Sequence, residues 1–279
     1  MKTRPLNSRL YPWYDSVWLE HYTSAKQIIR NVKPTALDAF ESAMRPLRTH
    51  PEFRVKVLDR VIDDVTLEKI RHIVKALRPM DFELHEARQF KRFIVHDHPY
   101  FTELQRQLTA LMSDAVNEPV EPCYNFLSLY TAAGVCPVHM DSPEAKWTLD
   151  ICLNQSEPWP LWISDVQPWP EATPDVALPW WHGDDWEQSI KQSPTANFTA
   201  HTMQPGQGIV FSGSSQWHYR DAMPAGSVAS HCDLLFFHFV PAGTAELVRP
   251  ANWARWFDIP ELARESDATP DVLVPTANA

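Results

Sequence analysis

Three side chains in the second half of this 279-residue chain have the types and spacing to share one divalent cation: His139 and Asp141 in "PVHMD", and His218 in "GSSQWHYRD". In a β-strand, residues two apart face the same side, so His139 and Asp141 project together into whatever the sheet encloses. The same His-x-Asp spacing recurs at His182–Asp184 and His231–Asp233, so spacing alone selects none of the three pairs. Context separates them. His182 and Asp184 fall in a proline-rich loop that gives them no common face, and "SHCDLLFFHF" has no later histidine outside its own strand to complete a set. Only the first pair is followed, after a turn, by a distant third ligand.

Two histidines and one carboxylate on a single face, with other coordination positions open, form the donor set that suits non-haem Fe(II). The bland alternative is that these are polar residues satisfying buried backbone groups of a sheet. The elements around them are short strands separated by turns from Tyr124 onward: "YNFLSLY", "CPVHMD", "KWTLDICLN", "WPLWI", "GQGIVFSG", "QWHYRDAM" and "ASHCDLLFFHFV". Such a run predicts a closed or two-sheet antiparallel structure with the preceding helices packed outside it. Upstream, residues 12 to 33 and 35 to 47 carry helical apolar periodicity and form an N-terminal helical arm, 1–50. "FRVKVLDRVI" alternates like a strand, "DDVTLEKIRHIVKAL" begins with acids and continues as a helix, and "PYFTELQRQLTALMSDAV" reads as one further helix.

The run "LSLYTAAGVCPVHMD", then "KWTLDICLN", then "PGQGIVFSGSSQWHYRDAMPAG" resembles the double-stranded β-helix core of the 2-oxoglutarate- and Fe(II)-dependent dioxygenases, nearest to the prolyl 4-hydroxylase-like branch. The resemblance covers about residues 53 to 240. It implies an α+β fold with a jelly-roll or cupin-like core and flanking N-terminal helices. It also implies that His139, Asp141 and His218 ligate Fe(II), that Tyr130 lies beside the co-substrate 2-oxoglutarate, and that O2 is consumed in hydroxylating or otherwise oxidising a C–H bond. Halogenating relatives carry a small residue in place of the acid, so Asp141 points to hydroxylation or a related oxidation. A cupin-like metal enzyme that does not use 2-oxoglutarate, and a non-catalytic barrel binding module, are the alternatives.

The chain departs from that pattern at one place. The resemblance expects an Arg or Lys for the distal carboxylate about ten residues after the second histidine, where this chain has Val228, and the strand that follows has neither. A buried carboxylate needs a cationic, preferably forked, partner. Arg220, two residues beyond His218, faces the same side as that ligand and is the first choice. Lys146 opens the strand in which Thr148, Asp150 and Cys152 share one face, and His231 ranks third. Asp150, in mid-strand, is a substrate or supporting group, or the partner of one of these cations.

Composition bounds the rest. A net charge of -10 gives no basic footprint for a phosphate backbone, so nucleic acid is not an expected partner. No apolar run reaches the length of a membrane span or a signal peptide. Four cysteines without paired spacing are expected as free thiols, and the expected location is cytoplasmic. Twelve tryptophans and 25 prolines against seven glycines describe stiff aromatic loops. Trp159, Trp162, Trp180, Trp181 and Trp186 are expected around the entrance, walling a small-molecule or peptide substrate, or else anchoring the loop. The dioxygenase domain spans 51–245 with a lid-like insertion at about 164–205, followed by a C-terminal segment, 246–279, disordered after about 264. Oligomeric state is not legible.

Overall fold

A computed structural model describes residues 11–171, 185–224 and 230–263. The N-terminal arm contains α1 (Val17–Val32) and α2 (Leu37–Met44). It is followed by β1 (Lys56–Leu58), α3 (Asp64–Ala76), β2 (Arg92–His96), α4 (Pro99–Gln107) and α5 (Thr109–Val116). The rest is built mostly of strands: β3 (Val120–Tyr130), β4 (Cys136–His139), β5 (Trp147–Gln155), β6 (Leu161–Ile163), β7 (Thr199–His201), β8 (Gly208–Phe211), β9 (His218–Arg220) and β10 (Cys232–Pro241). Short α6 (Trp186–Lys191) precedes β7, and α7 (Trp253–Phe257) follows β10.

The strands form two antiparallel sheets. Six lie in the order β1-β8-β5-β10-β3-β2 and four in the order β4-β9-β6-β7. The two sheets face each other as the halves of a double-stranded β-helix. Alternation along each strand sorts the side chains. On β5, Trp147, Leu149, Ile151 and Leu153 join Phe237, Phe239 and Leu235 of β10 in a core covered by α3, α4 and α5. Cys152, Ile209, Phe211, Cys232 and Leu234 turn to the inside of the barrel. Outside the four-stranded sheet, Val138, Met140, Trp217 and Tyr219 are buried by Trp13, Trp18, Phe40 and Trp253, so the arm and α7 together close that face.

Local signals explain several boundaries. Asp63 caps α3, its carboxylate accepting from the Thr66 amide at 2.7 Å. The stretch expected as one helix from Pro99 is two, joined at Leu108, whose backbone (φ -85°, ψ -1°) sits at the edge of the helical region. Only three residues of "FRVKVLDRVI" pair as a strand, against β8, and the rest turn toward α3. Within 164–205 the chain forms α6 and then β7, which pairs with β6 and so belongs to the sheet framework. Residues 172–184 of that insertion, including Trp180 and Trp181, lie outside the described residues, as do Val228 and the tail after 263.

Candidate metal centre

β4 and β9 lie side by side in the four-stranded sheet, with His139 opposite His218 and Cys136 opposite Arg220. A register irregularity between Cys136 and His139 turns both inward. Asp141, just past the strand, is fixed by its amide, which donates to the Gly213 carbonyl at 2.8 Å. The three side chains converge. The Asp141 Oδ1 atom lies 3.4 Å from His139 Nε2 and 3.5 Å from His218 Nε2, and one ligand atom from each residue falls within 4.8 Å of the others.

The tautomers are set by the backbone. His139 Nδ1 lies 2.9 Å from the Pro137 carbonyl and His218 Nδ1 lies 3.0 Å from the Gln216 carbonyl. A carbonyl only accepts, so each Nδ1 carries a hydrogen, and Nε2 is the ring nitrogen each histidine turns to the shared point, available to a cation once it carries no proton of its own. Burial alone would raise the Asp141 pKa, but the facing His218 and His139 hold it well below the usual carboxylate range. For His139, burial pulls the other way and is outweighed by Cys136 and Asp141, which hold its pKa above the ordinary value. Two imidazole nitrogens and one anionic oxygen so close together form a donor set that fits a divalent cation such as Fe(II).

This trio opens onto a cavity of about 210 Å³ inside the barrel. Tyr130 lines it, as does Arg220, which the sequence proposed for the co-substrate. Arg220 is held from behind. Its Nη2 donates to Asp150 Oδ2 at 2.9 Å and its Nη1 donates to the Trp159 carbonyl. Asp150 is fully buried, and burial pushes its pKa up to about 6 despite the guanidinium beside it.

Several expected residues lie elsewhere. Lys146 is not in β5: it sits in the turn before it, with helical backbone, so strand alternation does not carry it inward. Its ammonium donates to the Pro46 carbonyl at 2.7 Å and to Glu118 at 2.8 Å, away from the cavity. His231 is outside as well, its Nε2 at 3.0 Å from Asn154 Nδ2. Trp162 stacks on Tyr219 on the outer face of its sheet, and Trp186 is buried in the core beneath the arm. Trp159 packs edge-on against Tyr130 and donates to the Asp221 carbonyl, supporting the site from behind without lining it.

The residues that line the cavity unforeseen come from β2, β3 and β10. Arg92 donates through Nη1 to the Tyr130 hydroxyl at 2.8 Å and through Nε to Glu86. Tyr124, Phe126, Phe236 and His238 form a wall of rings. The signal was present: in "RFIVH", "YNFLSLY" and "LLFFHF", the period of two that places Tyr130 inside also places Arg92, Phe126, Tyr124 and His238 inside.

No protein-family model and no curated protein matches the chain. Solved structures do resemble it. SnoN, a non-haem α-ketoglutarate-dependent epimerase from nogalamycin biosynthesis, superposes with a TM-score of 0.50 at 12% identity, over 75% of this chain and 85% of that one. The carbocyclase SnoK from the same biosynthesis gives 0.49 at 13% identity, over 71% and 83%. HygX from Streptomyces hygroscopicus, solved with nickel, 2-oxoglutarate and hygromycin B, gives 0.47 at 13% identity, over 68% and 83%. At this identity the SnoN likeness speaks to the fold alone. The class that fold and site define is a double-stranded β-helix carrying a two-histidine, one-carboxylate centre on its inner face.

Proposed function

We propose that this chain is an Fe(II)- and 2-oxoglutarate-dependent oxygenase that hydroxylates or otherwise oxidises a C–H bond of a small-molecule or peptidyl substrate. The observation that carries it is the convergence of His139 Nε2, His218 Nε2 and an Asp141 oxygen on a cavity that the buried Arg220 also lines. Within the class, the order Tyr130, His139-x-Asp141, Pro205-Gly206-x-Gly208 and His218 favours the prolyl 4-hydroxylase-like branch.

His139, Asp141 and His218 would hold the metal, and the cavity side of that trio leaves room for co-substrate and O2. Bound Fe(II), with 2-oxoglutarate and O2, supplies the oxidising power for C–H hydroxylation, the co-substrate leaving as succinate and carbon dioxide. Arg220 takes the distal carboxylate, because Asp150 and the Trp159 carbonyl fix its fork while it still borders the cavity. The Tyr130 hydroxyl, oriented by Arg92, offers a second polar contact beside it. The barrel's apolar lining, including Leu161, Phe211 and Phe236, excludes bulk water and positions the C–H bond. Four free cysteines, three of them buried, are in keeping with a reducing compartment, and we assign the chain to the cytoplasm. Among the described residues, no helix is long and apolar enough to cross a membrane.

The test is spectroscopic. Under anaerobic conditions Fe(II) plus 2-oxoglutarate gives the wild-type protein a weak visible charge-transfer band. His139→Ala abolishes it, and Arg220→Ala raises the 2-oxoglutarate concentration needed by about a hundredfold, the scale of a lost buried ion pair. Absence of the band in wild type at saturating Fe(II) rejects the proposal.

A further inference from the structure

The inner face of β3 and β10 carries four near-parallel rings. Tyr124 stacks on His238 with centroids 4.2 Å apart, and Phe126 stacks on Phe236 at 4.7 Å. The diagonal pair Phe126 and His238 lies at 5.5 Å and 23°. The opposite face of the same strands, with Leu127, Leu235 and Phe237, is fully buried under helices, whereas Tyr124, Phe126 and Phe236 remain only half-buried because they border the cavity.

This wall is built in advance. Gln105, buried on α4, donates through its amide nitrogen to the Tyr124 carbonyl at 2.9 Å and to the His238 carbonyl at 2.8 Å, clamping the two strands where their register shifts. Asn125 in turn holds the Gln105 oxygen at 3.1 Å. A side chain spent on fixing two carbonyls indicates that ring placement matters here.

His238 supplies a polar handle. The ring is 2% exposed, yet its Nε2 has no hydrogen-bond partner among the described residues, and it borders the same cavity as the candidate metal ligands. Its Nδ1 lies 3.1 Å from the Thr148 hydroxyl, and the Ala145 carbonyl, 3.5 Å from the same hydroxyl, can take the Thr148 hydrogen. On that assignment Nδ1 is the donor, and Nε2 is a bare acceptor. A buried acceptor left unmatched costs free energy that a ligand donor recovers.

We propose that this wall is the substrate platform, receiving a small flat ring that bears one hydroxyl or ring N–H, with the ring against Phe126 and Tyr124 and its donor hydrogen on His238 Nε2. Binding stands on the wall alone; that the bound ring is then oxidised rests on the oxygenase reading above. Because the rings cover one another's faces, a ligand meets their edges; edge-to-face packing favours flat π-systems, and the His238 acceptor selects a donor group on them.

Phenol and indole are the probes, with cyclohexanol as the saturated control, followed by saturation-transfer NMR on the full chain under argon, with and without Fe(II) and 2-oxoglutarate. Both probes bind, and cyclohexanol binds at least several-fold more weakly. His238→Phe keeps the ring and removes the nitrogen, weakening phenol about tenfold. Phe126→Ala weakens both probes about fivefold, and Phe126→Leu, which preserves the filled volume, does the same if the alanine variant unfolds. Cyclohexanol binding as tightly as phenol, or phenol affinity unchanged in both His238→Phe and Phe126→Leu, overturns the platform. The charge-transfer band separates the two readings: probes that bind without a band leave the platform standing and remove the oxygenase, whereas a band with no probe binding removes the platform alone.

Discussion

The Cα of Gly213 faces the Asp141 carboxylate so closely that a β-carbon there would lie 2.1 Å from Asp141 Oδ2, 2.7 Å from the Ala145 carbonyl and 2.8 Å from the Thr148 hydroxyl. The same glycine accepts the Asp141 amide through its carbonyl. Gly213→Ala therefore forces the carboxylate or the following turn to move. The expected cost is about 1–3 kcal/mol of stability, with at least tenfold weaker metal binding. Thermal unfolding and isothermal titration with Mn(II) read the two effects separately, and an alanine variant with wild-type metal affinity would show that the close approach does not govern the acid.

Removing Lys146 is expected to leave the metal centre and 2-oxoglutarate binding unchanged. Its ammonium serves Glu118 and the Pro46 carbonyl, tying the arm to the barrel wall. Lys146→Met should cost about 1–3 kcal/mol in chemical denaturation, since the Pro46 carbonyl loses its donor and Glu118 is left with Trp147 Nε1 alone. A loss of the charge-transfer band in this variant would contradict the placement.

The Asp150–Arg220 pair predicts a pH dependence of stability. The Asp150 pKa is raised by burial from the ordinary 3.8 to about 6, so between those values the folded chain binds more protons at this site than the unfolded chain. Stability from this group is fully present below the unfolded pKa and falls as pH rises toward the folded one, by about 3 kcal/mol in all. Asp150→Asn should flatten the wild-type curve between about pH 4 and pH 6. Urea unfolding midpoints compared across that window check the sign, and a variant curve parallel to wild type would refute it.

Much of the site could be read before the fold was known, because a metal centre on strands is written in the period of two. His139 and His218 sit opposite each other on paired strands, and Asp141 follows just past the end of its strand, where its carboxylate still meets both rings. Lys146 went astray for a local reason: Pro143 starts a tight helical turn, and the alternation that describes Trp147 to Leu153 does not extend back into it. Trp159, Trp162 and Trp186 do not line the cavity, because the sequence locates aromatic residues along the chain but not the face they occupy. Trp162 turns outward to Tyr219, while the rings that border the cavity come from Phe126 and Tyr124. The break at Leu108 divides a helical pattern that is continuous in sequence, and only the bend of α4 and α5 over β3 imposes it.

Gln105→Leu offers a test of the ring wall that touches no ring. It removes the donor for two carbonyls and is expected to cost about 2–4 kcal/mol, each orphaned acceptor contributing about 1–2 kcal/mol. Amide hydrogen exchange should rise first at Tyr124 to Phe126 and at Phe237 to Phe239, which flank the clamp. Uniform exchange across the barrel would show that the strands hold their register without it.

The arm and α7 interlock over the four-stranded sheet through Trp18, Phe40 and Trp253, and Trp13 meets Trp217 edge-on with centroids 4.6 Å apart, one residue before His218. A ligand-bearing strand is thus braced from outside by residues more than 200 positions apart in the chain. Anyone transplanting this scaffold, shortening it, or shuffling it with another barrel must carry both flanks together, because the outer tryptophans act as the keystone of the inner His139–Asp141–His218 cluster.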